Sequence, residues 1–401
     1  MIQETGGNMG EKNLNFDKVI DRRNTKSLKY DFAERRGMPK DIQPLWVADM
    51  DFKVSSYIIE ALNAMNDHGI YGYSETKEEY FEALKGWMKR RHDWDVNERW
   101  LIKTPGIVFA LAMAVQAYTR EGEGVLIQQP VYYPFSEVIL DNDRKLVVNE
   151  LQQGADGKYF IDYEDFEQKI INENVKLFIL CNPHNPVGRV WTKEELTKLG
   201  DICLKHKVIV VSDEIHSDFA YKRNHTVFTN VKEEYQEIGI VCTSPTKTFN
   251  IPGLQISNIF IANQNLRRQF RKRVNAAGYS QLNLPGLVAC EAAYRYGDEW
   301  LDAVISYILE NAEYTRRFLT ERLPKVKMTE LEGTYLVWLD FKAYGLTDRE
   351  LNQRIIHKAG LWLDSGEIFG STGEGFQRIN IACPRSILTE ALEKLANALE
   401  E

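Results

Sequence analysis

The sequence predicts an α/β fold, a mainly parallel sheet covered on both faces by helices and followed by a smaller α+β domain. Three observations carry that reading. Six short apolar runs recur between residues 125 and 261, with helix-period segments between several of them; strands buried on both faces read in this way. A helix-start signal falls between them, where Thr192 can cap and Glu195 can reach back as a capping box. Beyond residue 298 the pattern changes to one long helical stretch and then to single strands and helices. At 401 residues and 44% hydrophobic, the chain is long enough for a large core and for two domains.

The elements follow in order. The first dozen residues are polar and glycine-containing and read as mobile, and Met1-Ile2-Gln3-Glu4-Thr5-Gly6-Gly7-Asn8 lacks the apolar core of a signal peptide. Val54, Ile58, Ala61, Leu62 and Met65 recur at helical spacing, as do Tyr80, Phe81, Leu84, Trp87 and Met88. Gly106 opens a helical stretch through Ala117. The apolar runs are Val125-Leu126-Ile127, Leu146-Val147-Val148, Leu177-Phe178-Ile179-Leu180, Val208-Ile209-Val210-Val211, Ile240-Val241-Cys242 and Ile259-Phe260-Ile261. A long helix from about Asp298 to Arg322 stops before Pro324. Then come a strand at Tyr335-Leu336-Val337-Trp338-Leu339, a helix capped by Thr347 with Glu350, a strand through Arg378-Ile379-Asn380-Ile381, and a terminal helix. The expected division is 50–290 for the large domain and 291–401 for the small one, with 1–49 packing against the small domain.

The bulk properties exclude several classes. A net charge of −8 disfavours binding to nucleic acid. The basic run Arg267-Arg268 to Arg271-Lys272-Arg273 reads as a solvated helix face. The five cysteines are scattered without a C-x-x-C pair, which argues against a disulfide framework and suits a cytoplasmic protein. No stretch approaches the 18 or so uncharged apolar residues of a membrane span, and no metal site is expected.

The chemistry-bearing residues all follow strand-like runs, and an open parallel sheet binds its ligands at the carboxyl ends of its strands. Lys247 stands in Ser244-Pro245-Thr246-Lys247-Thr248-Phe249-Asn250, three residues after a serine whose hydroxyl suits a phosphate. A lysine amine becomes a Schiff-base nucleophile when burial or neighbouring cations lower its pKa. Asp213 ends an apolar strand, where a carboxylate needs a partner such as a protonated ring nitrogen. Asn185 lies in Cys181-Asn182-Pro183-His184-Asn185-Pro186, with an amide able to donate to a ring oxygen. Thr104-Pro105-Gly106-Ile107-Val108 turns into a helix whose first N–H groups suit an anion. Tyr132 suits stacking on a planar ring, and Arg378 a bidentate grip on a substrate carboxylate. Each alone has a plainer reading: a surface lysine, a loop carboxylate, a turn, a packing aromatic, a structural ion pair. In this order they are the parts of a pyridoxal 5'-phosphate (PLP) site.

Together these motifs resemble the aspartate-aminotransferase-like family of PLP enzymes, fold type I, class I/II, from about residue 14 to the end. Within it the chain looks most like the bacterial cystathionine β-lyase or C–S lyase branch, the MalY/PatB type. The marks are Asn15-Phe16-Asp17 with Ile20-Asp21-Arg22-Arg23, Trp46-Val47-Ala48-Asp49-Met50-Asp51-Phe52, His68-Gly69-Ile70-Tyr71-Gly72-Tyr73-Ser74, Ser212-Asp213-Glu214-Ile215-His216 and Phe249-Asn250-Ile251-Pro252-Gly253-Leu254. The resemblance implies a seven-stranded sheet, a PLP cofactor, and a homodimer with shared active sites acting on a small amino-acid substrate. It makes Lys247 the Schiff-base lysine and Asp213 the partner of the ring nitrogen. Asn185 with His216 would bind the ring oxygen, and Tyr132 would stack on the ring. Gly106, Ile107, Val108 and Ser244 would hold the phosphate, joined by Tyr73 from the second subunit. Arg378 would take the substrate α-carboxylate. Trp46, Asp49, Tyr73 and Trp338 would shape the pocket.

One departure separates the branches. Many transaminases of the group carry an arginine eight residues after the lysine, where this chain has Gln255. The expected activity is therefore β-elimination from cystathionine or cystine-type amino acids, giving thiol, pyruvate and ammonia, with class I/II transamination as the alternative. A PLP-binding regulator without catalysis is disfavoured by the intact Lys247, Asp213 and Arg378. A nicotinamide dehydrogenase is disfavoured because no G-x-G-x-x-G follows the early strands.

Overall fold

Seven strands form one sheet in the order Leu101–Thr104, Ser257–Phe260, Gly239–Thr243, Ile209–Asp213, Val175–Cys181, Gly124–Gln129, Lys145–Glu150. All run parallel except Ser257–Phe260, which is antiparallel to both neighbours. The computed structural model describes residues 14–400, so the polar start of the chain lies outside the described residues. The six apolar runs all sit in this sheet. The seventh strand, Leu101–Thr104, was not among them: it is four residues long and carries Lys103, so no apolar run marks it.

Period-2 alternation sorts each central strand onto two faces. Val125, Ile127, Leu177, Ile179 and Val211 pack with Ala110, Leu111 and Ala114 of helix Ile107–Tyr118 and with Phe270 of helix Gln264–Ala276. Leu126, Phe178, Leu180 and Val210 pack on the other face with Phe166, Leu196 and Leu199 from helices Tyr163–Asn172 and Lys193–His206. The capping box is formed, Thr192 accepting from the Glu195 N–H and the Glu195 carboxylate from the Thr192 N–H. In helix Gln264–Ala276, Leu266, Phe270 and Val274 are buried, while Arg268, Arg271, Lys272 and Arg273 face solvent. Helix Ser56–His68 starts two residues after Val54, because the Ser55 hydroxyl accepts from the Tyr57 N–H and fixes the start there.

Helix Asp298–Arg322 leads into a second, antiparallel sheet of Lys327–Met328, Leu336–Asp340, Phe376–Asn380 and Asp364–Ser365. Helix Arg385–Glu400 ends the described chain. Gln43–Pro44 pairs in parallel with Leu361–Trp362, and the Asn380 N–H donates to the Leu45 carbonyl at 2.9 Å. Residues 43–48 thus run alongside the strand that carries Arg378. The five cysteines are buried and free. No helix of the described residues is long and apolar enough to cross a membrane.

Candidate active site

The chain leaves strand Gly124–Gln129 towards one edge of the sheet and returns to Val175–Cys181 on its other side. A crevice opens at the carboxyl ends where the direction reverses, the position at which open α/β sheets bind ligands. The loops after these two strands meet there, the Tyr132 N–H donating to the Asn185 carbonyl at 3.0 Å. Asp213, last residue of the next strand, lies opposite Cys181 in the register. Its carboxylate accepts from the Ile215 N–H at 3.1 Å and is 6% exposed. Burial lifts its pKa to about 7, because a carboxylate loses hydration there that one N–H does not replace. His216 is buried beside it, and burial, with the charges of Lys247 and Arg378, holds its imidazole well below the usual range and therefore neutral.

Lys247 follows the adjacent strand. Ser244 caps the short helix Pro245–Thr248, accepting from the Thr246 N–H at 3.2 Å, and Pro245 occupies the first helical position, where its missing N–H costs nothing. Lys247 is thus carried one turn beyond the sheet. Its Nζ donates to the Ala48 carbonyl at 2.6 Å. Burial pushes the amine down to about 8, Arg378 adding to the shift while Asp49 and Asp213 oppose it. It lines a cavity of about 670 Å³ with Arg22, Ala48, Asp49, Met50 and Asn250. Asn250 clamps that wall, accepting from the Met50 N–H at 2.8 Å and donating to the Met50 and Phe52 carbonyls at 2.9 Å. Behind it Arg22 pairs with Asp49 at 2.6 Å and Asp51 at 2.8 Å, and the fully buried Lys29 with Asp51 at 2.7 Å. Burial works against the Asp49 carboxylate, but the hydrogen bond from Arg22 and the charge of Lys29 hold it below its ordinary value.

Arg378 reaches the crevice from the second sheet. Its Nη1 donates to Asn185 Oδ1 at 3.0 Å and its Nη2 to the Trp46 carbonyl at 2.8 Å. Asp364, opposite it on the neighbouring strand, pairs with the same Nη2. The Arg378 Nε and the His216 Nδ1 are buried without a partner among the described residues.

The structure therefore brings Lys247, Asp213, Asn185, His216, Tyr132 and Arg378 to one crevice. Gly106, Ile107 and Val108 start helix Ile107–Tyr118, which has no capping side chain, so its first N–H groups stay open. The Ser244 hydroxyl is engaged locally, donating to the Ile256 carbonyl at 2.7 Å and bonding Thr246 Oγ1 at 2.7 Å. Gln255 is exposed, with φ 50°. Tyr73 is not brought to the cluster: it stands 93% exposed between helices Ser56–His68 and Glu78–His92, with no hydrogen bond among the described residues. Trp338, expected at the pocket, is in the core instead, stacked on Phe376 with centroids 4.9 Å apart and its indole N–H on the Tyr159 hydroxyl at 3.2 Å. Two contributors were missed. The Ala48 carbonyl has no side-chain signal to find. Asp364 has one, a carboxylate closing the run Leu361-Trp362-Leu363.

A family model described as aminotransferase class I and II matches residues 43–395. The chain belongs to that family. It is 45% identical to cystathionine beta-lyase PatB of Bacillus subtilis, covering 96% of this chain and 100% of the relative. It is 32% identical to Protein MalY of Escherichia coli, covering 96% of this chain and 99% of the relative. The crystal structure of cystalysin from Treponema denticola, which contains PLP, superposes with a TM-score of 0.93 at 40% identity, over 96% of this chain and 99% of that one. The aminotransferase class I and II family is PLP-dependent, and the site fits that cofactor. Its buried groups include a depressed lysine amine, a carboxylate, a neutral imidazole with a nitrogen unpartnered among the described residues, and an Asn185 amide whose oxygen is taken and whose NH2 has no partner among them.

Proposed function

We propose that this member of the family is a PLP-dependent C–S β-lyase that cleaves L-cystathionine and cystine-type amino acids to a thiol, pyruvate and ammonia. The observation that carries the reading is the meeting of Lys247, Asp213 and Arg378 in one crevice; the full-length identity to PatB and the absence of an arginine at Gln255 favour elimination over transamination.

Asp213 would face the ring nitrogen of the cofactor, Asn185 and His216 its ring oxygen, Tyr132 its face, and Gly106, Ile107, Val108 and Ser244 its phosphate. When bound, the cofactor supplies an electron sink that acidifies the substrate Cα–H. Arg378 grips the α-carboxylate with a planar fork already set by Asn185, Trp46 and Asp364, so little orientation entropy is left to lose. The Lys247 amine, with a pKa of about 8, is in part neutral near pH 7.5 and takes the Cα proton at Nζ. The electron pair left by that proton forms the Cα–Cβ double bond, and the Cβ–S pair departs with sulfur. Lys247 Nζ then returns a proton to the thiolate. The released enamine hydrolyses in water to pyruvate and ammonia.

The same proposal includes a homodimer in which Tyr73 of one copy completes the phosphate site of the other; its high exposure in the single chain supports this. It also includes the division of the chain at 49/50, supported by the pairing of Gln43–Pro44 with Leu361–Trp362, and at 290/291, a position within helix Leu284–Tyr296. The test is purified protein with L-cystathionine and L-cystine and no keto acid. Catalytic release of pyruvate and thiol, lost in Lys247→Ala, is expected. A strict requirement for a keto acid would make the protein an aminotransferase.

A further inference from the structure

Tyr133 forms a wall beside the Arg378 site. Its ring lies 5.4 Å from that of Tyr132 and 6.1 Å from that of Phe369, and Phe369 lies under the Arg378 guanidinium at 4.9 Å. Two exposed charged side chains act on this wall, and neither has an ion-pair partner among the described residues: Arg36, in the short turn Glu34–Arg36, and Glu137, on helix Pro134–Leu140. Burial raises the proton affinity of the Tyr133 hydroxyl; the charges of Asp364 and Glu137 raise it further, while Arg378 and Arg36 lower it. Arg36 is held in place. Its guanidinium rests 5.3 Å from the Trp46 ring, which stacks on Trp362 at 4.4 Å and 14°. The Trp46 carbonyl is the one that accepts from Arg378. A single residue thus carries one arginine on its ring and the other on its backbone, and fixes the span between them.

An arginine stacked on an aromatic face keeps its N–H edge free for a carboxylate. We propose that Arg36 takes the carboxylate at the far end of a substrate that is an amino acid at both ends. The inference rests on the C–S lyase reading and names Arg36 as the residue that sets its preference for thioethers or disulfides joining two amino acids over S-alkyl cysteines.

The experiment compares kcat/KM for L-cystathionine and S-methyl-L-cysteine in the wild-type holoenzyme and in Arg36→Ala, Arg36→Lys and Glu137→Ala. For Arg36→Ala, cystathionine turnover is expected to fall about tenfold, through KM, as for one exposed charge-assisted hydrogen bond, while S-methyl-L-cysteine turnover and the thermal midpoint hold. Arg36→Lys should keep part of the preference, and Glu137→Ala, which removes a charge of the opposite sign, should not lower it. An equal fall on both substrates, or no selective fall, overturns the inference and leaves the lyase reading standing. A wild type that releases thiol from neither substrate overturns both.

Discussion

The guanidinium of Arg378 donates to the side-chain oxygen of Asn185 at 3.0 Å. That bond ties the antiparallel sheet to the crevice of the parallel one and decides which way the Asn185 amide turns. With its oxygen engaged, Asn185 has only its NH2 to offer a ligand. On the proposed reading the Arg378 fork would therefore serve two ends of the site at once, the substrate carboxylate and, through Asn185, the cofactor oxygen.

Arg378→Lys should separate charge from geometry. A lysine keeps the pairing with Asp364 but cannot also hold Asn185 and the Trp46 carbonyl in one plane. The kcat/KM for L-cystathionine is expected to fall by about 100-fold. Arg378→Ala leaves Asp364 buried without its partner and should in addition cost about 3 kcal/mol of stability, read from the urea midpoint. A Lys variant with near wild-type turnover would remove Arg378 from the substrate.

Asp213 makes the protein without cofactor sensitive to pH. Its folded pKa of about 7 lies above the 3.8 of an ordinary aspartate, so the folded state binds more protons between those values. Stability is then highest below about pH 4 as far as this group goes, and is lost as pH rises through 7. Lys247 works in the next window: its folded pKa of about 8 lies below the ordinary 10.5, so its penalty is present below 8 and fades as pH rises towards 10.5. Asp213→Asn removes the first effect. The cofactor-free variant should be more stable than wild type by roughly 2–4 kcal/mol at pH 8 and by much less at pH 5, while losing lyase activity. Equal gaps between the two unfolding midpoints at both pH values would show that Asp213 is not titrating.

Much of this was legible in the sequence because the signals are local. The six apolar runs fell in one sheet because strands buried on both faces have no polar side to hide them, and Thr192 with Glu195 announced their helix because a capping box spans only four residues. Leu101–Thr104 escaped because a short strand bearing Lys103 has no run to see. The antiparallel course of Ser257–Phe260 has no local signature either, since strand direction is set by what the chain does elsewhere.

Within the site, Lys247, Asp213, Asn185 and Arg378 were legible as chemistry placed after strands. Their contacts were not. Asp364 and Arg378 lie fourteen residues apart in the chain and meet only because two strands align them. The grip of Ala48 on Lys247 comes from a backbone oxygen 199 positions away, which no side-chain pattern can announce. Trp338 misled because it shares a sheet face with its register partner Arg378 yet stays in the core, its ring packed on Phe376 and Phe369, while Arg378 reaches past Phe369 to the crevice.

Beneath Lys247, a buried carboxylate organises three donors. Asp218 accepts from Trp87 Nε1 at 3.1 Å and Thr248 Oγ1 at 2.6 Å, and bonds His92 Nε2 at 3.0 Å. Burial opposes its charge, but these bonds hold its pKa below the ordinary value. Asp218→Ala leaves them unsatisfied and should cost about 3–5 kcal/mol in the urea midpoint. Asp218→Asn, which keeps the shape and one acceptor, should cost less than half of that. Because Thr248 follows Lys247 directly, the Ala variant should also bind PLP more weakly by equilibrium dialysis. An Ala variant as stable as wild type would mean that water replaces the carboxylate.

Tyr73 gives the sharpest test of the shared site, because it is almost wholly exposed in the single chain and has no structural work there. Tyr73→Phe should change the stability of the subunit by less than about 0.5 kcal/mol, yet lower PLP affinity and turnover if a second copy inserts the ring into the phosphate site. Lys247→Ala should be inactive alone. In a hybrid dimer, the Lys247→Ala chain keeps its Tyr73 and offers it to the Tyr73→Phe chain, whose Lys247 is intact. That site is whole and the other lacks both groups. A twofold interface exchanges the same element in both directions, so co-expression of the two variants should recover roughly a quarter of wild-type activity, from random pairing with one whole site per hybrid. Activity equal to the simple average of the two separate variants would mean that Tyr73 serves its own subunit or no site at all.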